Sequence, residues 1–226
     1  MIHAAVVVAA LAASAADPAS APSPPSIAVS TPSIWLSTPA YELPSRMIDW
    51  GRVSAMAFNG IFPEEFRRFF DRDPERKVPP EPRVLVAPAD GVVLDLVAHV
   101  SSRTLVISIG FGDVHVQRVP MDGLVHSLAW AGQGALPVSM PAHFGNVRRV
   151  TRLRTEIGEI EVVQITGLWT SRIQNPLRPG QRVRRGERLG RILLGSTATL
   201  TVPRNVRFVV NRYDRVVGGE TIVGRY

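Results

Sequence analysis

The chain has no cysteine. Disulfides, zinc–thiolate sites, iron–sulfur clusters and thiol nucleophiles are therefore excluded, and redox usage gives no information about compartment. Lysine is almost missing. Lys77 is the only one, so arginine supplies nearly all of the 26 basic residues. A lysine Schiff base of the pyridoxal kind then has one candidate, set in the polar, proline-rich stretch ERKVPPEP. Helix-turn-helix spacing, zinc-finger ligands and a basic–aromatic RNA motif are also missing. No nucleic-acid partner and no metal site are expected, and no internal repeat is visible.

What is present begins with charge. The 226 residues carry a net charge of +7 and a pI of about 11.0. That length suits one domain with a sizeable core and an appended arm. Guanidinium groups bind phosphate bidentately, which suits nucleic acid or phospholipid headgroups; an arginine-rich surface can also serve solubility alone. Residues 1–16, MIHAAVVVAALAASAA, are apolar but shorter than the ~20 residues that span a bilayer. The run ends in small residues, Ala13-Ser14-Ala15, and no basic residue precedes it. A signal peptide, a membrane-dipping arm and a misassigned start all stay open. Residues 17–45, rich in Pro, Ser, Ala and Thr, read as a linker. Residues 46–226 read as the folded domain.

From Met47 aromatics crowd together, with Trp50, Phe58, Phe62, Phe66, Phe69 and Phe70 interleaved with Arg46, Arg52, Arg67, Arg68 and Arg72. Pro63-Glu64-Glu65 opens a helix and Asp73-Pro74 closes it. Such a segment suits a membrane interface, or it covers the domain's own core. From Arg83 onward short Val/Ile/Leu runs recur between Gly and Pro turns: RVLVA, GVVLDLVAHV, TLVISIG, DVHVQRV, GLVHSLAWA, EIEVVQIT, RLGRILL, ATLTV and VRFVV. The expected fold is mainly β within the α+β class: a barrel-sandwich-like domain with a short N-terminal helical segment. LRPGQRVRRGERLGRI has the spacing of compact barrel-sandwich hairpins.

Four stretches could carry chemistry. Ala87-Pro88-Ala89-Asp90-Gly91 puts a carboxylate in a tight turn, which is also ordinary turn chemistry. In Asp113-Val114-His115-Val116-Gln117-Arg118, alternation puts Asp113, His115 and Gln117 on one face of a strand. His3, His126 and His143 have no such company. Ser171-Arg172 follows an apolar strand and could sit at a site mouth. RILLGSTATLTVP (191–203) reads as one apolar β-run, Ile192 to Val202, with Gly195-Ser196-Thr197 in its middle. No G-x-S-x-G elbow surrounds Ser196, so a hydrolase nucleophile is not indicated. A Gly-Ser bond offers another route. If a base takes the hydroxyl proton, Ser196 Oγ can attack the Gly195 carbonyl and turn the amide into an ester; β-elimination then cuts the chain and leaves dehydroalanine, which water hydrolyses to a pyruvoyl group with loss of ammonia. Gly195 tolerates the strained backbone and leaves its carbonyl open.

That stretch resembles the LGST processing motif of phosphatidylserine decarboxylases. FFDRDPERKVP (69–79) is similar to the family's Phe–Arg–Asp–Pro motif with one extra residue, Asp71. VLVAPADGVV (84–93), DVHVQRVPMDG (113–123), EVVQITGLWTSRI (161–173) and LRPGQRVRRGERLGRILLGST (177–197) follow in the family's order, so the resemblance covers about residues 66–203 and is nearest the short bacterial and archaeal branch.

The resemblance implies a proenzyme cut between Gly195 and Ser196. It gives a β-chain ending at 195 and an α-chain, 196–226, capped by a pyruvoyl cofactor derived from Ser196. The activity it implies is conversion of phosphatidylserine to phosphatidylethanolamine and CO2, in phospholipid biosynthesis. Ser196, His115 and Asp90 are the implied catalytic residues. His115 acts near the substrate carboxylate, and Asp90 orients the base of self-cleavage. His115, Arg118 and Thr197 are the implied substrate-binding residues. The implied partners are a phosphatidylserine-type phospholipid, a membrane surface and a second copy in a homodimer. The implied location is peripheral on the cell membrane, at its cytoplasmic face.

Two departures stand out. Arg118 occupies the place of a second histidine in the long branch, and Arg cannot serve as a base at neutral pH. Ser171-Arg172 replaces a double arginine. Two other readings fit the hairpins or the motifs: a non-catalytic barrel-sandwich adaptor, and a degenerate family member that binds lipid but never matures.

Overall fold

The structure is a computed structural model that describes residues 68–134, 136–167, 172–193 and 196–226. Residues 68–70 are the described end of a helix that turns out at Asp71. Its opening at Pro63, the arm 1–16, the linker 17–45, Ser171 and Gly195 lie outside the described residues.

The rest is β-structure, as the recurring Val/Ile/Leu runs predict. The strands are β1 (Val84–Val86), β2 (Gly91–Ala98), β3 (Ser102–Ile109), β4 (Val116–Arg118), β5 (Gly123–Ala131), β6 (Arg148–Thr155), β7 (Gly158–Thr166), β8 (Arg172–Gln174), β9 (Arg182–Val183), β10 (Arg188–Leu193), β11 (Ser196–Pro203), β12 (Arg207–Phe208), β13 (Arg215–Val216) and β14 (Ile222–Arg225). A short 3-10 helix, Pro141–Gly145, sits between β5 and β6. A curled sheet runs β13-β2-β3-β11-β7-β6-β5-β9, and two three-stranded sheets run β1-β14-β12 and β4-β10-β8. All pairings among the described residues are antiparallel. No described helix is long and apolar enough to cross a membrane.

The central strands of the large sheet, β3, β11 and β7, are largely buried on both faces. Leu105, Ile107, Ile109, Val162, Ala198, Leu200 and Val202 join the main core with Ile173, Leu189 and Ile192 of the β4-β10-β8 sheet. On the opposite face Val106, Val150, Val163, Ile165 and Phe144 form a second cluster. Strand alternation assigns the faces: odd and even residues of one strand serve different cores.

One expectation needs correction. Residues 192–202 are not a single interrupted strand. β10 belongs to the sheet of β4 and β8, whereas β11 runs between β3 and β7 at the centre of the large sheet. The apolar composition is shared because both strands are buried.

Candidate active site

Ser196 opens β11, facing Ile109 on β3 and Thr166 on β7. It is fully buried, and its Oγ has no hydrogen-bond partner. It falls in the row of Ala198, Leu200 and Val202, so its side chain faces the main core and the small sheet that carries His115. A buried hydroxyl without a partner costs free energy.

His115 precedes β4. Its carbonyl accepts the N–H of Ile192 on β10 at 3.1 Å and the side-chain amide of Gln117 at 2.9 Å. Gln117 Oε1 in turn accepts from Gln164 Nε2, and Gln164 Oε1 from Asn175 Nδ2, at 2.8 and 3.0 Å. This chain of amides ties β4 to β7, the neighbour of β11. The ring is fixed as well. Nδ1 lies 2.9 Å from the Asp113 carbonyl, which can only accept, so Nδ1 carries the proton and Nε2 presents its lone pair. Phe70 packs on the ring with centroids 3.8 Å apart. Nε2 is buried and has no partner. Burial, with Arg72 and Arg191 nearby, pulls the pKa down to about 3, so the imidazole is neutral at physiological pH.

Asp113 and His115 meet, as their spacing suggests, but through the Asp113 backbone. The Asp113 carboxylate accepts from Gly110 N and from Arg215. Asp90 ends the turn before β2. Gly91 beside it has φ +148, and a Cβ there would lie 2.1 Å from the Ser108 carbonyl, so only glycine fits. β2 lies two strands from β11, roughly 10 Å away. Asp90 pairs with Arg76 at 3.0 Å and accepts from Gly218 N at 2.8 Å. Burial raises its pKa, and Arg76 pulls it back. The hydrogen bonds of Asp90 therefore go to Arg76 and Gly218, while the Asp113 carbonyl orients His115.

Arg118 is buried and pairs with Asp73, whose carboxylate also takes Arg188. It donates further to Pro74 O at 3.1 Å. Thr197 is fully buried, and its hydroxyl meets His143 Nε2 at 2.9 Å on the face opposite Ser196. These two side chains, expected to bind substrate, are thus engaged within the protein.

Sequence reasoning assigned no role to two groups that the structure brings to the site. The stretch 69–76 wraps it with charge: Asp71 pairs with Arg191, Asp73 with Arg118 and Arg188, and Arg76 with Asp90. The alternation of acids and arginines in DRDPER was the available signal. His143 was passed over because its partner lies 54 residues away and no local pattern marks it. His126 also has company, in Glu159 and Arg154.

The model of the family described as Phosphatidylserine decarboxylase matches residues 62–224. A phosphatidylserine decarboxylase proenzyme of Chlorobaculum parvum is 36% identical over 166 residues, 70% of this chain and 78% of that one. One from Carboxydothermus hydrogenoformans is 34% identical over 168 residues, with the same coverage. A Methanosarcina barkeri protein, provisionally named an archaetidylserine decarboxylase proenzyme, is 30% identical over 179 residues, 79% of this chain and 86% of that one.

Proposed function

This chain belongs to the phosphatidylserine decarboxylase family, and from that premise we propose that it is made as a proenzyme that cuts its own Gly195–Ser196 bond and then decarboxylates the serine headgroup of a phospholipid. The observation that carries the reading is a pair of orphaned buried atoms: Ser196 Oγ, at the start of β11, and Nε2 of His115, whose carbonyl accepts the N–H of Ile192 on β10.

The neutral Nε2 of His115 takes the Ser196 hydroxyl proton, and Oγ attacks the Gly195 carbonyl carbon. The amide C–N bond breaks, giving an ester and a free amine on Ser196. Loss of the Ser196 Cα proton expels the Gly195 carboxylate and leaves dehydroalanine. Water converts this to a pyruvoyl cap on Thr197 with release of ammonia. Arg118 takes no proton in this scheme, so His115 serves alone where the long branch has two histidines.

The residues present fit such a group. Ser196 Oγ and His115 Nε2 are both buried without a hydrogen-bond partner, and Lys77 is the only lysine available for carbonyl chemistry. The pyruvoyl group supplies a carbonyl that takes up the substrate amine and an electron sink for the pair left by CO2. His115 Nε2 then returns a proton to the carbon that lost its carboxylate. Asp90 is held by Arg76 and the N–H of Gly218 beside the 69–76 stretch. The phosphatidylserine and archaetidylserine named for the relatives share a serine–phosphate headgroup, and that headgroup is the substrate class. The arginine-rich aromatic segment 46–72 supports a peripheral place on the cell membrane. A cytoplasmic-face site and a homodimer complete the reading.

A denaturing gel with intact-mass measurement tests it, followed by CO2 release from phosphatidylserine vesicles. Expected is a 31-residue fragment, 196–226, and headgroup decarboxylation. A chain that stays full length after prolonged incubation with anionic lipid overturns the reading and leaves a degenerate lipid binder.

A further inference from the structure

The face of β11 turned away from Ser196 carries Thr197, Thr199 and Thr201. Packing alone does not require a polar partner in that row, since Thr199, two positions on, is fully buried with its hydroxyl unpartnered. Thr197 differs. Its hydroxyl lies 2.9 Å from Nε2 of His143, and the two residues are 0% and 2% exposed. His143 Nδ1 lies 2.7 Å from the Met140 carbonyl, which only accepts. Nδ1 therefore carries the ring proton, Nε2 is the acceptor, and the Thr197 hydroxyl donates. Burial holds this imidazole below its ordinary pKa, which keeps the acceptor available.

The loop bearing His143 grips the same place a second time. Asn146 Nδ2 donates to the Thr166 carbonyl at 2.7 Å and to the Leu136 carbonyl at 2.9 Å, while its Oδ1 accepts from Leu136 N. Thr166 N and Oγ1 both donate to the Val147 carbonyl, at 3.0 and 2.9 Å. Thr166 is the residue opposite Ser196 across the β7–β11 ladder. Phe144 seats the loop in the second core cluster and packs on the His143 ring, centroids 4.2 Å apart. One loop thus holds both the chain neighbour of Ser196 and its neighbour across the sheet.

We propose that His143 is a positioning residue for self-cleavage: through the Thr197 hydroxyl it anchors the carboxyl side of the scissile segment, so that Ser196 Oγ stays aligned on the Gly195 carbonyl. The proposal rests on the self-cleaving reading. A buried His–Thr bond desolvates two polar groups where an apolar pair of the same shape would fill the space. It is placed at the residue whose displacement would swing Ser196 out of line. An error of about 1 Å in such an attack costs about a hundredfold in rate. After the cut the same bond holds Thr197, the residue that carries the new amino-terminal cap.

The test follows appearance of the 196–226 fragment during cell-free synthesis of the full chain. It compares wild type, Thr197→Val, Thr197→Ser, His143→Leu and the double variant Thr197→Val/His143→Leu. Unfolding midpoints are measured in parallel on uncut Ser196→Ala versions. Thr197→Val should slow cutting roughly tenfold or more, at least the weight of one hydrogen bond. Thr197→Ser, which keeps the hydroxyl, should cut close to the wild-type rate. The double variant should cut no more slowly than the slower single one, because both remove the same bond. If wild type cuts and Thr197→Val cuts equally fast, the proposal is overturned while the self-cleaving reading stands. Slowing of Thr197→Val that Thr197→Ser shares, or that multiplies in the double variant, also overturns it. An uncut wild type overturns both. If His143→Leu fails to fold, the Thr197→Val and Thr197→Ser pair still decides.

Discussion

Ile192 donates its backbone N–H to the carbonyl of His115 at 3.1 Å. The histidine and the strand that ends just before the cleavage position are therefore parts of one ladder, although 77 positions separate the two residues. Whatever moves β10 moves His115 with it.

Ser196→Ala should remain a full-length chain without activity, since no oxygen is left to attack the Gly195 carbonyl. Ser196→Cys should cut slowly through the thioester. Intact mass reads both. The wild-type fragment 196–226 should resist Edman degradation and gain mass with borohydride in the presence of phosphatidylserine.

His115→Ala should cut at least about a hundredfold more slowly, the usual weight of a positioned general base. Imidazole in the medium should recover part of the rate. A variant that matures normally and then fails on lipid would confine His115 to decarboxylation.

Stability should fall on acidification in a defined window. Unfolded, a histidine gains its proton near pH 6.5; folded, His115 gains one only near about 3. Between those values the unfolded chain binds more protons, so stability is fully present above about pH 6.5 and declines below it. His143 acts in the same direction. Asp90, with its pKa raised by burial, binds its proton more readily in the folded chain and opposes the trend. On the uncut Ser196→Ala background, His115→Gln should flatten the slope between pH 4 and 6 by at most about 1.4 kcal/mol per pH unit, read by urea titration.

Arg76→Ala should destabilise the uncut chain by about 3 kcal/mol, because it strands the Asp90 charge in a buried place. Adding Asp90→Asn should restore part of that loss. Strictly additive losses in urea unfolding would show that the two groups are not coupled.

Deleting residues 1–62 should weaken sedimentation with anionic vesicles without abolishing it, and salt should weaken binding of the full chain. Equal binding of both chains would place the anchor elsewhere.

Much of the strand order could be read from the chain, and the misses have physical causes. β6, RRVTRLRT, was invisible as a strand because arginines fill positions that apolar residues usually occupy. Arg148 is nevertheless buried and donates to the Phe144 carbonyl at 3.0 Å. β8, β9, β13 and β14 are two to four residues long, too short to show a period. The charges of 69–76 were legible as a motif but not as a clamp, since each partner lies far along the chain. His115 and Ser196 stood out by residue type and local company. His143 could not, because the thing that distinguishes it is a single contact with a distant threonine.

β11 is the middle of the large sheet, paired on both sides, while β13 and β14 bond to β2 and β1. A cut before Ser196 therefore releases nothing: the fragment stays interleaved with the rest through three strands. It does change the order of the folding reaction. The uncut precursor folds as one molecule, at a rate independent of concentration. The mature protein, once denatured, must find its other half, so its recovery becomes second order and falls on dilution. Synthesis before cutting is then a one-way template, and the mature enzyme retains a fold that its separated pieces would regain only by encounter.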